Sequence, residues 1–124
     1  MTSATEIRIG DLAARTGVTT RALRYYEEQG LLSPARSASG QRHYPQSAAS
    51  RVQLIQYLFA AGLPSRAIAV LLPTVDTRTM NDEVLGMLRA ERERIDRQIN
   101  ALTESRALLD DVIHIATTPG ACTD

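Results

Sequence analysis

Apolar residues recur along the chain at intervals of three and four, and the places where that spacing fails divide it into segments. Ile9, Leu12 and Ala13 mark one face of a short helix over residues 9–15, which stops before Gly17. Thr19 has a side chain able to cap the next turn, so the pattern predicts a second helix from Thr20 to Gln29, ended by Gly30. Two short helices joined by a glycine-containing turn make a candidate helix-turn-helix. Between Leu31 and Tyr44 the helical period is lost. Pro34 and the Ser39-Gly40 pair sit among two short stretches suited to a β-hairpin, or wing, closed by Pro45. A third helix is expected from Ser47, with Val52, Ile55, Leu58 and Phe59 on its inner face and Gly62 at its end. The fourth opens at Pro64, turns Ile68, Leu71 and Leu72 inward, and is expected to stop at Pro73.

Thr74 to Met80 reads as a connector, after which Asn81 can cap a long helix whose first turn carries Asp82 and Glu83 against the helix dipole. From there the period becomes seven. Leu88, Ile95, Leu102, Leu109 and Ala116 fall at d positions, and Leu85, Ile99 and Ile113 at a positions. Arg92 and Arg106 occupy the two remaining a positions, where polar residues fix register at a cost in stability. Over residues 82–116 this helix spans roughly 50 Å at ~1.5 Å per residue. A small head cannot cover such a stripe, so Leu85, Leu88, Ile95, Ile99, Leu102, Leu109 and Ile113 are the candidate dimerisation residues. The tail, 117–124, contains Pro119 and Gly120 and is expected to leave the helix. The expected organisation is a winged helix-turn-helix head over 7–75, a coiled-coil helix over 81–116 and that tail.

Charge gives the two halves different partners. All 14 basic residues are arginine, balanced overall by 14 acids. Residues 1–72 hold eight arginines against four acids, a net +4, while residues 73–124 hold six against ten, a net −4. A basic front joined to an acidic back suits a polyanion at one end only. Chain length allows one domain with an appendage, and no leader-like or long apolar segment is present, so the expected location is the cytoplasm.

The second predicted helix has two faces. Leu23 and Tyr26 point inward, whereas Arg21, Arg24, Tyr25 and Glu28 share the opposite side. Arginine grips base edges or phosphates and tyrosine offers a hydroxyl to the backbone, which is what a recognition helix needs. Thr19 and Thr20 stand at its entry. The wing adds Arg36, Arg42, His43 and Tyr44.

These residues also carry a specific resemblance. Arg24-Tyr25-Tyr26-Glu27 within LRYYEEQGLL, then Arg36 and Gly40-Gln41-Arg42-His43-Tyr44, is similar to the MerR family of bacterial transcription regulators. Ile9-Gly10-Asp11-Leu12-Ala13 and Thr16-Gly17-Val18 match that family's first helix and turn, and Ala61-Gly62-Leu63 with Ile68 its fourth-helix entry. The resemblance covers about residues 7–72. It implies a mainly α fold: a winged helix-turn-helix head with a small hairpin wing, then a long antiparallel coiled-coil dimerisation helix. It implies a homodimer whose heads sit on successive major grooves of a palindromic promoter site, distorting the spacer DNA for RNA polymerase. Carried onto matching positions, Arg21 and Arg24 approach bases, Tyr25, Arg36, Arg42 and Tyr44 hold phosphates, and Thr19 and Thr20 add backbone contacts. Two positions depart from the pattern. Gln41 stands where many members have a wing aromatic, and Pro64 where a serine or threonine often caps the fourth helix, so backbone or water must supply that cap.

Other chemistries find little support. Only His43 and His114 could serve as bases, no glycine-rich phosphate loop follows a strand, and the acid pairs Glu27-Glu28 and Asp110-Asp111 are expected beside solvent, so no enzyme site is expected. A single cysteine, Cys122, rules out an iron-sulfur cluster or a multi-thiolate metal site from one chain, and no cofactor or metal is expected. Two alternatives remain: a redox- or electrophile-responsive regulator acting through Cys122, and a coiled-coil adaptor whose head binds protein. An adaptor head would show exposed aliphatic anchors where this chain has arginine and tyrosine.

Overall fold

In the computed structural model, which describes residues 6–36 and 42–120, five helices and three short strands follow one another as β1 (Glu6–Ile7), α1 (Ile9–Thr16), α2 (Thr20–Glu28), β2 (Ala35–Arg36), β3 (Arg42–Pro45), α3 (Ala48–Ala60), α4 (Ser65–Thr77) and α5 (Asp82–Thr117). The helices form where the apolar spacing places them, and their ends follow from local chemistry. The Thr19 hydroxyl accepts a hydrogen bond from the Ala22 N–H at 3.1 Å and so starts α2. Three helices end in the same way. After α2, Gly30 takes the left-handed conformation (φ 75°) and the Leu31 N–H reaches back to the Tyr26 carbonyl at 2.9 Å. After α3, Gly62 (φ 91°) lets Leu63 reach the Leu58 carbonyl. After α4, Arg78 fills that place with φ 54°, and Thr79 bonds to Thr74. In the first two motifs the residue after the glycine, Leu31 or Leu63, is buried and anchors the turn in the core.

Every helix contributes buried residues, from Leu12 alone on α1 and Val84 alone on α5 to four on α3 and five on α4. Leu12, Leu23, Val52, Ile55 and Ile68 are fully enclosed, and Tyr26 stacks on Phe59 with ring centroids 5.8 Å apart. The wing is more than the expected hairpin. β3 pairs with β2 in the order Ala35 opposite His43 and Arg36 opposite Arg42, and on its other edge with β1, which the apolar pattern did not reveal. The sheet order is β1-β3-β2, with Ile7 opposite Tyr44. A two-residue strand has no period of its own, so only pairing exposes it. The wing tip around Gly40-Gln41 lies outside the described residues.

The fourth helix corrects one expectation. It does not stop at Pro73 but runs on to Thr77, which shortens the connector expected at 74–80. Proline removes one helix hydrogen bond. The residues beyond it are held otherwise: Thr74, itself buried, donates its hydroxyl to the Leu71 carbonyl at 2.6 Å, and Thr77 donates to the Pro73 carbonyl at 3.0 Å. Arg51 of α3 adds a tie, its Nη2 lying 2.6 and 2.7 Å from the two carboxylate oxygens of Asp76. Because that pair is well solvated its contribution is at most about 1 kcal/mol. Pro64 stands just before α4 with no side-chain cap, and its carbonyl receives the N–H groups of Ala67 and Ile68.

Asn81 caps α5 as expected, its Oδ1 accepting from the Val84 N–H at 2.8 Å. The helix is 36 residues long. It includes Thr117, assigned by pattern to the tail, whose hydroxyl bonds to the Ile113 carbonyl. The chain divides into two units, Met1–Met87 and Leu88–Asp124, so the first six residues of α5 belong with the head. Val84 is the residue of α5 that is buried.

Replacing Ile55, enclosed on α3, by Ala removes three side-chain carbons and leaves a cavity, at an expected cost of about 2–5 kcal/mol. Urea unfolding followed by circular dichroism should show a lower midpoint, whereas Tyr57→Ala on the exposed side of the same helix should leave it nearly unchanged.

Candidate nucleic-acid interface

α2 presents the two faces that its sequence predicts. Leu23 and Tyr26 are buried, and Arg21, Arg24, Tyr25 and Glu28 are exposed on the other side. Tyr25 is 43% exposed and its ring meets that of Tyr26 edge-on, with centroids 6.4 Å apart, so a core aromatic braces a surface one. Burial of Tyr26 pushes its phenol above the ordinary tyrosine value, because the anion would lose solvation. The first turn of α2 contains no acid. The N-terminal end of α2 therefore carries a partial positive charge that no acidic side chain in that turn cancels. Thr19 uses its hydroxyl oxygen as an acceptor in the cap, which leaves its O–H as a donor.

In the wing the structure separates residues that the sequence reading had grouped. Arg36 and Arg42 are opposite one another on adjacent strands. His43 is half-buried, its Nδ1 lying 3.9 Å from Glu6 Oε2 of β1. Tyr44, expected among the phosphate-holding residues, is fully buried, and its hydroxyl donates to Glu27 Oε1 of α2. Side chains alternate along a strand, so neighbours in β3 face opposite ways and Tyr44 turns into the head. The same bond corrects the placing of Glu27 beside solvent: it is half-buried and accepts from the wing, whereas Glu28 is exposed. No sequence signal distinguished the two acids beyond their positions, one residue apart, on a helix with one inner face. Tyr44 and Glu27 thus join β3 to α2, the helix that carries the exposed Arg21, Arg24 and Tyr25.

Elsewhere on the head an open groove of about 530 Å³ runs between the turn after α2 and the facing parts of α3 and α4. Its charged lining is the Arg51–Asp76 pair, which is internally neutralised. Among the described residues no group of three or more His, Cys, Asp or Glu side chains could hold a metal ion. Cys122 lies outside them.

On α5, Ile99, Leu102, Leu109 and Ile113 are 54, 69, 58 and 52% exposed, while Leu85, Leu88 and Ile95 are half-buried. Leu108, Val112 and Ile115 are exposed as well, and lie off the two seam positions. They widen the apolar face toward the C-terminal end, a feature that counting every seventh residue passes over.

With this geometry in place, the similarities to known proteins are clear. Residues 7–74 match the family described as MerR HTH family regulatory protein. The HTH-type transcriptional activator SoxR homolog of Chromobacterium violaceum is 36% identical over 110 residues, 86% of this chain and 74% of that one. Among solved structures, the transcription regulator PbrR691 from Ralstonia metallidurans CH34, in complex with lead(II), superposes with a TM-score of 0.69 at 27% identity, covering 95% of this chain and 91% of its own. HiNmlR, a regulator lacking the sensor domain and bound to promoter DNA, superposes with a TM-score of 0.59 at 20% identity, covering 94% of each chain, and so shares the fold.

Tyr44→Phe removes the hydroxyl and leaves the half-buried Glu27 carboxylate without that donor. We expect a loss of about 1–3 kcal/mol in stability, read as a lower urea midpoint at an unchanged slope. Tyr25→Phe on the exposed side should leave the midpoint within about 0.5 kcal/mol of the parent.

Proposed function

The chain belongs to the MerR family of helix-turn-helix regulatory proteins, and from that premise we propose that it binds a palindromic promoter site as a homodimer and distorts the spacer DNA between the promoter hexamers. It is a transcription regulator and not an enzyme. The observation that carries the reading is the exposed Arg21-Arg24-Tyr25 face of α2, held rigid by the burial of Leu23 and Tyr26 behind it.

In this reading the head, residues 7–75, sets α2 in the major groove. Arg21 and Arg24 approach base edges, where a forked guanidinium pairs with guanine. Tyr25, Arg36 and Arg42 hold phosphates, with His43 beside them on β3. Thr19 and Thr20 add contacts to the backbone at the α2 entry, where the free N–H groups already favour an anion. Tyr44 acts from inside by fixing the wing to α2. The helix over 81–116 pairs antiparallel with that of a second copy, which covers the exposed stripe of α5 and places two heads on one face of the DNA. Phosphate contacts on both flanks offset the cost of deforming the centre, so that RNA polymerase meets hexamers brought into register. The cytoplasm is the compartment this function requires.

A footprint of the full chain on DNA upstream of its own gene and its neighbours, at fixed salt, tests the reading. Protection of a palindrome between promoter hexamers is expected, and its loss in the Arg21→Ala/Arg24→Ala variant with unchanged helicity. Arg42→Ala should weaken binding on all sequences alike and lower the salt dependence by about one ion. A folded dimer that protects no DNA at low salt would favour the protein-binding adaptor instead.

Ile99→Asp places a charge at the middle of the seam and should give monomers in sedimentation equilibrium while the head keeps its circular dichroism. An unchanged dimer would remove Ile99 from the interface.

A further inference from the structure

Given the dimer reading above, the charges on α5 decide which residue meets which across the seam. Arg92 and Arg106 stand in the a series of the heptad and are exposed, and so are the acids Asp96 and Asp110. In a parallel, in-register pair, a faces a, so Arg92 would meet the partner's Arg92 and Arg106 the partner's Arg106. In an antiparallel pair a faces d, and each seam arginine meets an aliphatic residue. Three such registers, one heptad apart, are available.

We propose that the helices adopt the middle register, in which Leu85 meets the partner's Ala116, Leu88 the partner's Ile113 and Ile99 the partner's Leu102. Every seam position from 85 to 116 then has a facing residue. The flanking e positions, which lie beside a and face one another across an antiparallel seam, supply the charges. Arg92, packed on the partner's Leu109, lies next to the partner's Asp110. Arg106, packed on the partner's Ile95, lies next to the partner's Asp96. Arg89 faces the partner's Asp110 from the same edge. Two-fold symmetry repeats each contact. A guanidinium half-removed from water thus gains a carboxylate, which offsets its desolvation.

The neighbouring registers lose this. A shift of one heptad in one direction sets Arg106 beside the partner's Arg89 and Asp96 against the partner's Asp96, and leaves Ile113 and Ala116 without facing residues. The opposite shift sets Asp96 against the partner's Asp110, strips Leu85 and Leu88 of theirs and gives neither seam arginine an acid. The arginines, which weaken an aliphatic seam, therefore act as a lock on register, and the same lock favours pairing with a second copy of this chain.

Cysteine pairs in the full chain carrying Cys122→Ser test it. Leu88→Cys and Ile113→Cys chains, co-expressed with different tags and oxidised, should form a disulfide heterodimer on a non-reducing gel, while neither variant alone crosslinks with itself. Self-crosslinking of Leu88→Cys would mean a parallel pair and overturn the proposal. So would crosslinking of Leu88→Cys with Arg106→Cys, or of Ile95→Cys with Ile113→Cys, in preference to the expected pair. A dimer by sedimentation that forms none of these crosslinks also overturns it. A monomer by sedimentation for the Cys122→Ser chain would instead show that the dimer reading itself fails, and the register with it. As a second measurement, Asp96→Arg and Asp110→Arg each set an arginine beside a seam arginine and should raise the dimer Kd by roughly tenfold or more. Glu104→Arg, on the outer face, should leave it unchanged, and equal effects at all three positions would exclude a charge lock.

Discussion

The hydrogen bond from Tyr44 to Glu27 is the constraint on which the reading head turns. Tyr44 belongs to β3, the middle strand of a sheet whose other two strands contribute only two residues each. Such a sheet has little stability of its own, because so few ladder bonds cannot repay the loss of chain freedom. Enclosing the Tyr44 ring in the core supplies the missing anchor, and its hydroxyl finds an acceptor in α2. One enclosed ring and one hydrogen bond thus tie β3 to α2. In the proposed DNA complex that tie matters, since a helix reading bases and a wing holding phosphates would contribute together only when their separation is set before binding.

A second constraint comes from a helix of 36 residues, about 54 Å long, with a stripe of leucine and isoleucine that one chain leaves largely uncovered. In the single chain these side chains face solvent at an apolar cost that a second helix removes. The two demands are separated along the chain. The basic head has an interior of its own, while the acidic helix keeps an apolar stripe that a second copy would cover in the proposed dimer, and the opposite net charges of the two halves keep the helix from competing with the head for a polyanion.

Much of this was legible in the residues. Thr19 announced the start of α2 and Asn81 that of α5, because capping is a local hydrogen bond between a side chain and the next turn. The split of α2 into an inner face with Leu23 and Tyr26 and an outer face with Arg21, Arg24 and Tyr25 follows from helical period alone. Other features were not legible. β1 exists only because Ile7 lies opposite Tyr44, a pairing between segments more than thirty residues apart. α4 passes Pro73 because Thr74 and Thr77 bond back to carbonyls and Arg51 reaches Asp76 from another helix. Local rules weigh the lost amide bond of proline but not a tie made by a distant residue.

The order of Arg, Tyr and Glu in α2 and the seven-residue period of α5 are thus properties of sequence, since each rests on spacing along a single helix. Where helical period does not divide them, which side chains remain at the surface is a property of tertiary structure. Tyr25, Tyr26 and Tyr44 are chemically alike, yet one is exposed, one stacks on Phe59 and one is enclosed beneath the wing. Likewise Glu27 and Glu28 are neighbours with the same carboxylate, and only the approach of β3 makes the first a structural acceptor and leaves the second in water. Burial depends on what arrives from elsewhere in the chain, and that is decided only when the elements pack.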